Sequence, residues 1–199
     1  MCIRDRNQGT YRFVASEPRA VVYGLGAVKG LGEGAIQNLV EEREKAGGFD
    51  DLFDLCRRID TRRLNKRALE ALVGAGALDS LVTDHELKAM LAADRTDQTR
   101  AYLDAHLEQA VQVAEQESRN AEGGLSDLFG DLAVDAKHQR DNAALGNVQP
   151  LSMQKRLSRE KDALGLYLTG HPIDVYRDEM RHLAGSRISE LRPRDGEQR

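Results

Sequence analysis

Gly24-Leu25-Gly26-Ala27-Val28-Lys29-Gly30-Leu31-Gly32-Glu33-Gly34-Ala35-Ile36 is the stretch on which the fold turns, with five of the chain's 18 glycines inside eleven residues. Beyond it Ile36, Leu39, Val40 and Arg43 follow helical spacing until Gly47-Gly48, where glycine tolerates the left-handed cap. Before it, Tyr11–Val14 and Val21–Tyr23 are short β-type runs around Ser16-Glu17-Pro18-Arg19, which predicts a small hairpin. Three readings compete for residues 24–40. A dinucleotide loop needs a second strand after the helix and an acid to hold the ribose, but the corresponding region, Gly47 to Asp51, is a helix break. A P-loop is excluded, because no Gly-Lys-Ser/Thr follows four variable residues. A helix–hairpin–helix would make Lys29–Gly34 a tight turn with Leu31 pointing into the core. The amides of Gly32 to Ala35 would then face outward as an anion site at the second helix's N-terminus. Lys29 would add a charge-assisted contact, and Glu33 would have to turn away from a phosphate. The remaining reading is that the glycines only permit close helix packing; it and the helix–hairpin–helix stay open at this point.

Working outward, Phe49, Leu52, Phe53, Cys56 and Ile59 repeat at three and four residues, which predicts a second short helix. Leu64, Ala68, Leu69, Leu72 and Val73 predict a third, closed by Gly74-Ala75-Gly76. Residues 24–81 therefore form an α-rich unit too small to stand alone comfortably, and it is expected to pack on a neighbour. Residues 82–120 carry a thin apolar stripe, Leu87, Met90, Leu91, Leu103, Leu107, Val111 and Ala114, which reads as a helical connector. Residues 121–150 lose periodicity and read as a flexible linker holding one apolar island, Leu125-Ser126-Asp127-Leu128-Phe129. Residues 151–199 begin with a predicted helix over 153–168, broken by Thr169-Gly170-His171-Pro172. Met1–Arg6 joins nothing periodic and is set aside as a non-native leader, leaving 7–23 as the segment before the unit. The expected fold is mainly α: a small helical unit, a helix–hairpin–helix on the second of the readings above, with a small N-terminal β-hairpin and a long flexible linker.

The chain has 199 residues with a formal charge of −4. Residues 1–81 are net +1, residues 82–150 net −7 and residues 151–199 net +2, so one uniform basic nucleic-acid surface is excluded and a local patch is not. No apolar run reaches the ~20 residues a membrane span needs, and no secretory h-region opens the chain. Two cysteines, Cys2 and Cys56, cannot make a disulfide framework or a zinc site, so a reducing, cytoplasmic setting is expected. Cys56 sits on an apolar stripe and is expected to be buried and inert. His171 has no metal-ligand companions at suitable spacing, and Asp50, Asp51 and Asp54 suit a helix N-terminus without an ion. The local patch is explicit: Arg57, Arg58, Arg62, Arg63, Lys66 and Arg67 put six positive charges in eleven residues, opposed only by Asp60. Such a run is commonly a solvated face; beside a phosphate-binding turn it becomes an electrostatic footprint.

Three motifs, in this order and spacing, resemble the α (catalytic) subunit of bacterial DNA polymerase III. They are Tyr23-Gly24-Leu25-Gly26-Ala27-Val28-Lys29-Gly30-Leu31-Gly32-Glu33-Gly34, Phe53-Asp54-Leu55-Cys56-Arg57-Arg58-Ile59-Asp60, and Leu164-Gly165-Leu166-Tyr167-Leu168-Thr169-Gly170-His171-Pro172-Ile173. The resemblance runs from about Asn7 to the end. It implies an internal piece of a longer DNA-directed DNA polymerase, a nucleotidyltransferase: the end of the fingers, the helix–hairpin–helix and clamp-binding region, up to the start of an OB domain. It implies no catalytic residue and no metal ligand here, since the family's carboxylates lie upstream; no cofactor is expected in this chain, with Mg²⁺ serving the parent polymerase. The DNA-binding residues it favours are Lys29, Gly30, Gly32, Gly34, Ala35, Arg57, Arg58, Arg62, Arg63, Lys66 and Arg67.

The family also carries a short peptide for the sliding clamp, and Leu125, Asp127, Leu128 and Phe129 match its apolar end. The family's glutamine is replaced by Gly124, which removes a polar anchor. Burying Leu128 and Phe129 in a pocket would be worth ~1.5–3 kcal/mol each. The implied partners are double-stranded DNA, the sliding clamp and other replicase subunits, with no membrane. The alternative is a stand-alone helix–hairpin–helix DNA-binding protein without polymerase activity, for which the third motif has no use.

Overall fold

The computed structural model of the chain describes residues 2–3, 9–17, 20–60, 62–82, 96–122 and 148–183. Among these are strands β1 (Cys2–Ile3), β2 (Val14–Glu17) and β3 (Ala20–Val22), and helices α1 (Glu33–Ala46), α2 (Leu52–Arg58), α3 (Lys66–Ala75), α4 (Thr96–Glu122), α5 (Met153–Leu164) and α6 (Arg177–Leu183). The mainly α expectation holds.

The hairpin is present but displaced. β2 and β3 are antiparallel, pairing Val14 with Val22, Ala15 with Val21 and Glu17 with Ala20. The first strand thus begins where the sequence reading ended it, because residues 10 and 11 are engaged elsewhere. The Thr10 and Tyr11 carbonyls accept the amides of Leu25 and Gly26 at 2.8 and 3.0 Å. Phe13 meets Tyr23 edge to face, centroids 4.6 Å apart. On the other edge of β3, Cys2 and Ile3 pair in parallel with Val21 and Val22.

Each short helix carries its own end signals. Asp51 caps α2 by accepting the Asp54 amide at 2.7 Å, and Asn65 caps α3 by accepting that of Ala68 at 3.0 Å. Leu64 and Leu69 occupy the positions of a hydrophobic staple around that cap and are both fully buried. Gly47 closes α1 at φ 82° and Gly76 closes α3 at φ 74°, as the glycine pattern predicts.

Two expectations about the second half are overturned. α4 is no connector: Arg100, Leu103, His106, Leu107, Ala110 and Ala114 recur at helical spacing and are buried, and Leu103, Leu107, Ala110 and Ala114 join the same core as α1–α3. The stripe looked thin because arginine, histidine and alanine do part of the packing. α5 ends at Leu164, four residues before its predicted limit, because Gly165 takes the left-handed cap at φ 81°. One core therefore runs from Tyr23 to Leu164. The unit at 24–81 packs on α4 and α5, the neighbour its small size required. Of the expected linker, residues 148–150 are described, and there the Val148 carbonyl returns to Gln98 at the start of α4 (3.2 Å).

Candidate nucleic-acid interface

The glycine-rich stretch divides into two halves with different physical requirements. A Cβ on Gly24 would lie 2.7 Å from the Tyr11 carbonyl oxygen and one on Gly26 2.8 Å from the Tyr11 ring, so these two are packing glycines. A Cβ on Gly30, Gly32 or Gly34 would meet nothing within 4 Å. Packing therefore accounts for the first pair and not for the other three. Gly30 is needed for its backbone, at φ 85°. Gly32 and Gly34 sit on an open face in ordinary conformations.

The turn is built from a single 3-10 turn, Leu25–Ala27, followed by the bend and α1. Leu31 is buried and its amide reaches the Val28 carbonyl at 3.3 Å, so the core-pointing leucine is present. Gly32 is the N-cap residue of α1 and has no side chain to cap with. Its carbonyl accepts the amides of Ala35 (3.1 Å) and Ile36 (3.2 Å). This corrects one expectation: the Ala35 amide is bonded internally and its side chain is buried. The amides of Glu33 and Gly34 are the first-turn donors with no carbonyl inside the helix to reach. They stand at the positive end of a 14-residue helix dipole. Glu33 is exposed, so its carboxylate lies at the surface beside them.

Lys29 is exposed, and its amide donates to the Ala163 carbonyl in the last turn of α5 at 2.8 Å. A Cβ on Gly165 would lie 3.9 Å from its Nζ, so the ammonium sits by the negative end of α5. The turn is thus held from below by α5, a support that residues 24–36 alone do not reveal.

The basic run separates into members with different duties. Arg58 is withdrawn from the candidate surface. Its Nη1 donates to the Gly48 carbonyl (3.1 Å) and Asp54 (3.0 Å), and its Nη2 to the Glu42 (2.7 Å) and Gly47 (3.0 Å) carbonyls. It also stacks 4.4 Å from the Phe49 centroid. That arginine ties the C-terminus of α1 to α2. Arg57, Arg62, Arg63, Lys66 and Arg67 are exposed. Lys66 pairs with Glu108 at 3.2 Å, Arg63 with Asp60 at 3.5 Å and Arg57 loosely with Glu117 at 3.9 Å. All three are exposed pairs of the kind worth ~0–1 kcal/mol, so a phosphate can displace them. The Asp60 amide bonds Asn38 Oδ1 at 3.1 Å, and Asn38 lies about 7–8 Å along α1 from its first residue by helical rise. The start of the run therefore lies close to the open helix end.

A family model described as a helix-hairpin-helix motif matches residues 5–88, which span the hairpin, the turn and α1–α3. DNA polymerase III subunit alpha of Pseudomonas aeruginosa is 48% identical over 192 residues, covering 95% of this chain and 16% of that protein. The subunit alpha of Vibrio cholerae is 40% identical and that of Escherichia coli K12 39%, each over 95% of this chain and 15% of its own length. This chain is homologous to DNA polymerase III subunit alpha. It spans about a sixth of the length of those relatives.

The third motif of that resemblance, residues 164–173, has a mechanical explanation that sequence reading missed. Glu160 is wholly buried, and its Oε2 accepts the amides of Leu168 (2.7 Å) and Thr169 (2.9 Å) and the Thr169 hydroxyl (3.2 Å). Its other oxygen faces the buried Arg100 Nη1 at 3.7 Å. Arg100 in turn donates from Nε and Nη2 to Asp79 and from Nη1 to the Gly74 carbonyl (3.3 Å). His171 caps the 3-10 turn Pro172–Tyr176 by accepting the Ile173 amide at 3.3 Å, while Asp174 accepts that of His171 at 2.9 Å. The Asp174 carboxyl is held below its usual range by the His171 amide and then by Arg177. The signal for all this was a buried Glu and Arg at helical spacing among apolar positions, which sequence alone does not tell from a surface pair. The clamp-peptide candidates Leu125, Asp127, Leu128 and Phe129 lie outside the described residues.

Proposed function

We propose that this chain binds duplex DNA through backbone phosphates, without reading base sequence, as part of the α subunit of a replicative DNA polymerase. The observation that supports this best is the open N-terminus of α1. It offers two first-turn amides, no side-chain cap and three glycines whose Cβ positions are empty space, beside a run of displaceable basic residues. A phosphate suits such a terminus, and phosphate contacts orient a protein on DNA without specifying bases. Lys29, Gly30, Gly32 and Gly34 form the turn's contribution, and Arg57, Arg62, Arg63, Lys66 and Arg67 the flanking field. The polymerase reaction itself, template-directed nucleotidyl transfer with Mg²⁺, is assigned to the larger protein and to no residue of this chain.

Gly32→Asp tests the turn cleanly. Gly32 has φ −77° and ψ 153°, which any residue adopts at an N-cap, and aspartate is a favoured cap. The new carboxylate would take the first-turn donors and repel phosphate. The expected outcome is unchanged or higher thermal stability, with duplex binding weakened about tenfold or more and a shallower salt dependence. Equal binding by the two proteins would reject the turn as a phosphate site.

The same reading gives Leu125, Asp127, Leu128 and Phe129 to the sliding clamp, tethering the polymerase to its template. Its support is an apolar pair stranded in polar sequence. Phe129→Ala is expected to abolish clamp capture while leaving duplex binding intact; clamp capture at wild-type strength would sink the assignment.

A further inference from the structure

A cleft of about 400 Å³ opens between α1, the end of α2 and α4. That volume is in the range of small-ligand sites. Its lining is mostly polar: Asn38 from α1, Arg57, Asp60 and Arg62 from the end of α2 and the segment after it, and Ser118 from α4. Charge and donors decide what it suits. Asp60 is already satisfied, its Oδ1 accepting the Arg62 amide at 3.0 Å and its Oδ2 facing Arg63 Nε at 3.5 Å. Among the described residues, Arg57 makes a loose 3.9 Å pair with Glu117. Asn38 uses its oxygen for the Asp60 amide, which orients its NH₂ group as a donor. Ser118 is exposed and adds a hydroxyl. Two guanidinium groups, an amide and a hydroxyl around one concavity match a phosphate's acceptor oxygens.

We infer that this cleft is a second, discrete phosphate site that seats a nucleic-acid backbone phosphate alongside the one at the α1 terminus. The inference rests on the duplex-binding reading above and extends it to Asn38 and Ser118, residues from two helices outside the basic run. It also gives α4 a share of the DNA surface. Asn38 and the open terminus lie on the same helix, about 7–8 Å apart along its axis, so one bound backbone can reach both.

Ser118 gives the sharpest test, because it is exposed and helical, and glutamate there preserves the fold. Anisotropy of a labelled duplex would be measured for this chain and for Ser118→Glu, Ser118→Ala, Arg57→Gln and Gly32→Asp, with circular dichroism melts beside them. Ser118→Glu is expected to weaken binding about tenfold and Ser118→Ala less than twofold. Arg57→Gln is expected to lower the slope of log affinity against log salt by about 1. Wild-type binding by a folded Ser118→Glu, with binding lost in Gly32→Asp, overturns the cleft and leaves the turn standing. Loss in Ser118→Glu but not in Gly32→Asp keeps the cleft and removes the turn. Inorganic phosphate and a deoxynucleoside triphosphate at matched ionic strength separate the sources. Displacement of the duplex by micromolar triphosphate in wild type, absent in Ser118→Glu, would overturn the backbone assignment in favour of a nucleotide.

Discussion

Single residues here show why composition and geometry must be read together. Gly76 and Gly34 look alike in sequence, yet a Cβ at Gly76 would lie 2.8 Å from the Arg100 Cζ with φ at 74°, whereas one at Gly34 meets nothing within 4 Å. Gly76→Ala is expected to cost ~2–4 kcal/mol in urea unfolding, from left-handed strain and displacement of a buried arginine. Gly34→Ala should be neutral or slightly stabilising. Cys56 is the buried thiol that the apolar stripe predicted, its pKa pushed up to about 12 by burial and then by Asp51. The sign follows directly. The folded thiol stays protonated where the unfolded one ionises, so its contribution is whole below pH 9 and is lost as pH rises toward 12. Wild type should therefore lose more stability than Cys56→Ala between pH 9 and 11. Equal loss in pH-dependent urea melts would show that the thiol ionises freely in the fold.

At the scale of elements, α4 and α5 meet along a seam of charge. Asp97, Arg100 and Asp104 of α4 face Arg156, Glu160 and Arg159 of α5, respectively. Two of these pairs lie partly exposed; Arg100 and Glu160 do not. Buried pairs are poor sources of net stability but costly to break singly. Arg100→Met should cost ~3–5 kcal/mol, because it removes the buried guanidinium that Asp79 and Glu160 both face. In a double-mutant cycle with Glu160→Gln, a coupling of ~1–3 kcal/mol is expected, and additivity would mean the two charges are independent. Helix ends, by contrast, were legible in advance: Gly47-Gly48 and Gly74-Ala75-Gly76 announce local terminations that depend on neighbouring backbone alone. The end of α5 was not, because a lone glycine such as Gly165 is a weaker stop signal in sequence than Pro172, yet it takes the left-handed cap at φ 81°.

For the whole molecule, the helix–hairpin–helix unit and its supports share one core, so the unit should not fold by itself. A chain truncated after Val82 loses the partners of α2 and α3 and is expected to show no cooperative thermal transition, while a chain ending at Leu183 retains one. A sharp transition in the shorter chain would overturn that. Sequence by itself determined the helical class, the glycine turn, the buried Leu31 and Cys56, and the motifs shared with DNA polymerase III subunit alpha. These depend on local spacing and backbone freedom, which neighbouring residues set. Only the tertiary structure decided that Gly24 and Gly26 pack while Gly32 and Gly34 stand open. It alone withdrew Arg58 from the surface, turned a presumed connector into a core helix, and set α5 beneath the turn. Each of those depends on which distant segment arrives opposite, and a list of residue types does not carry that information.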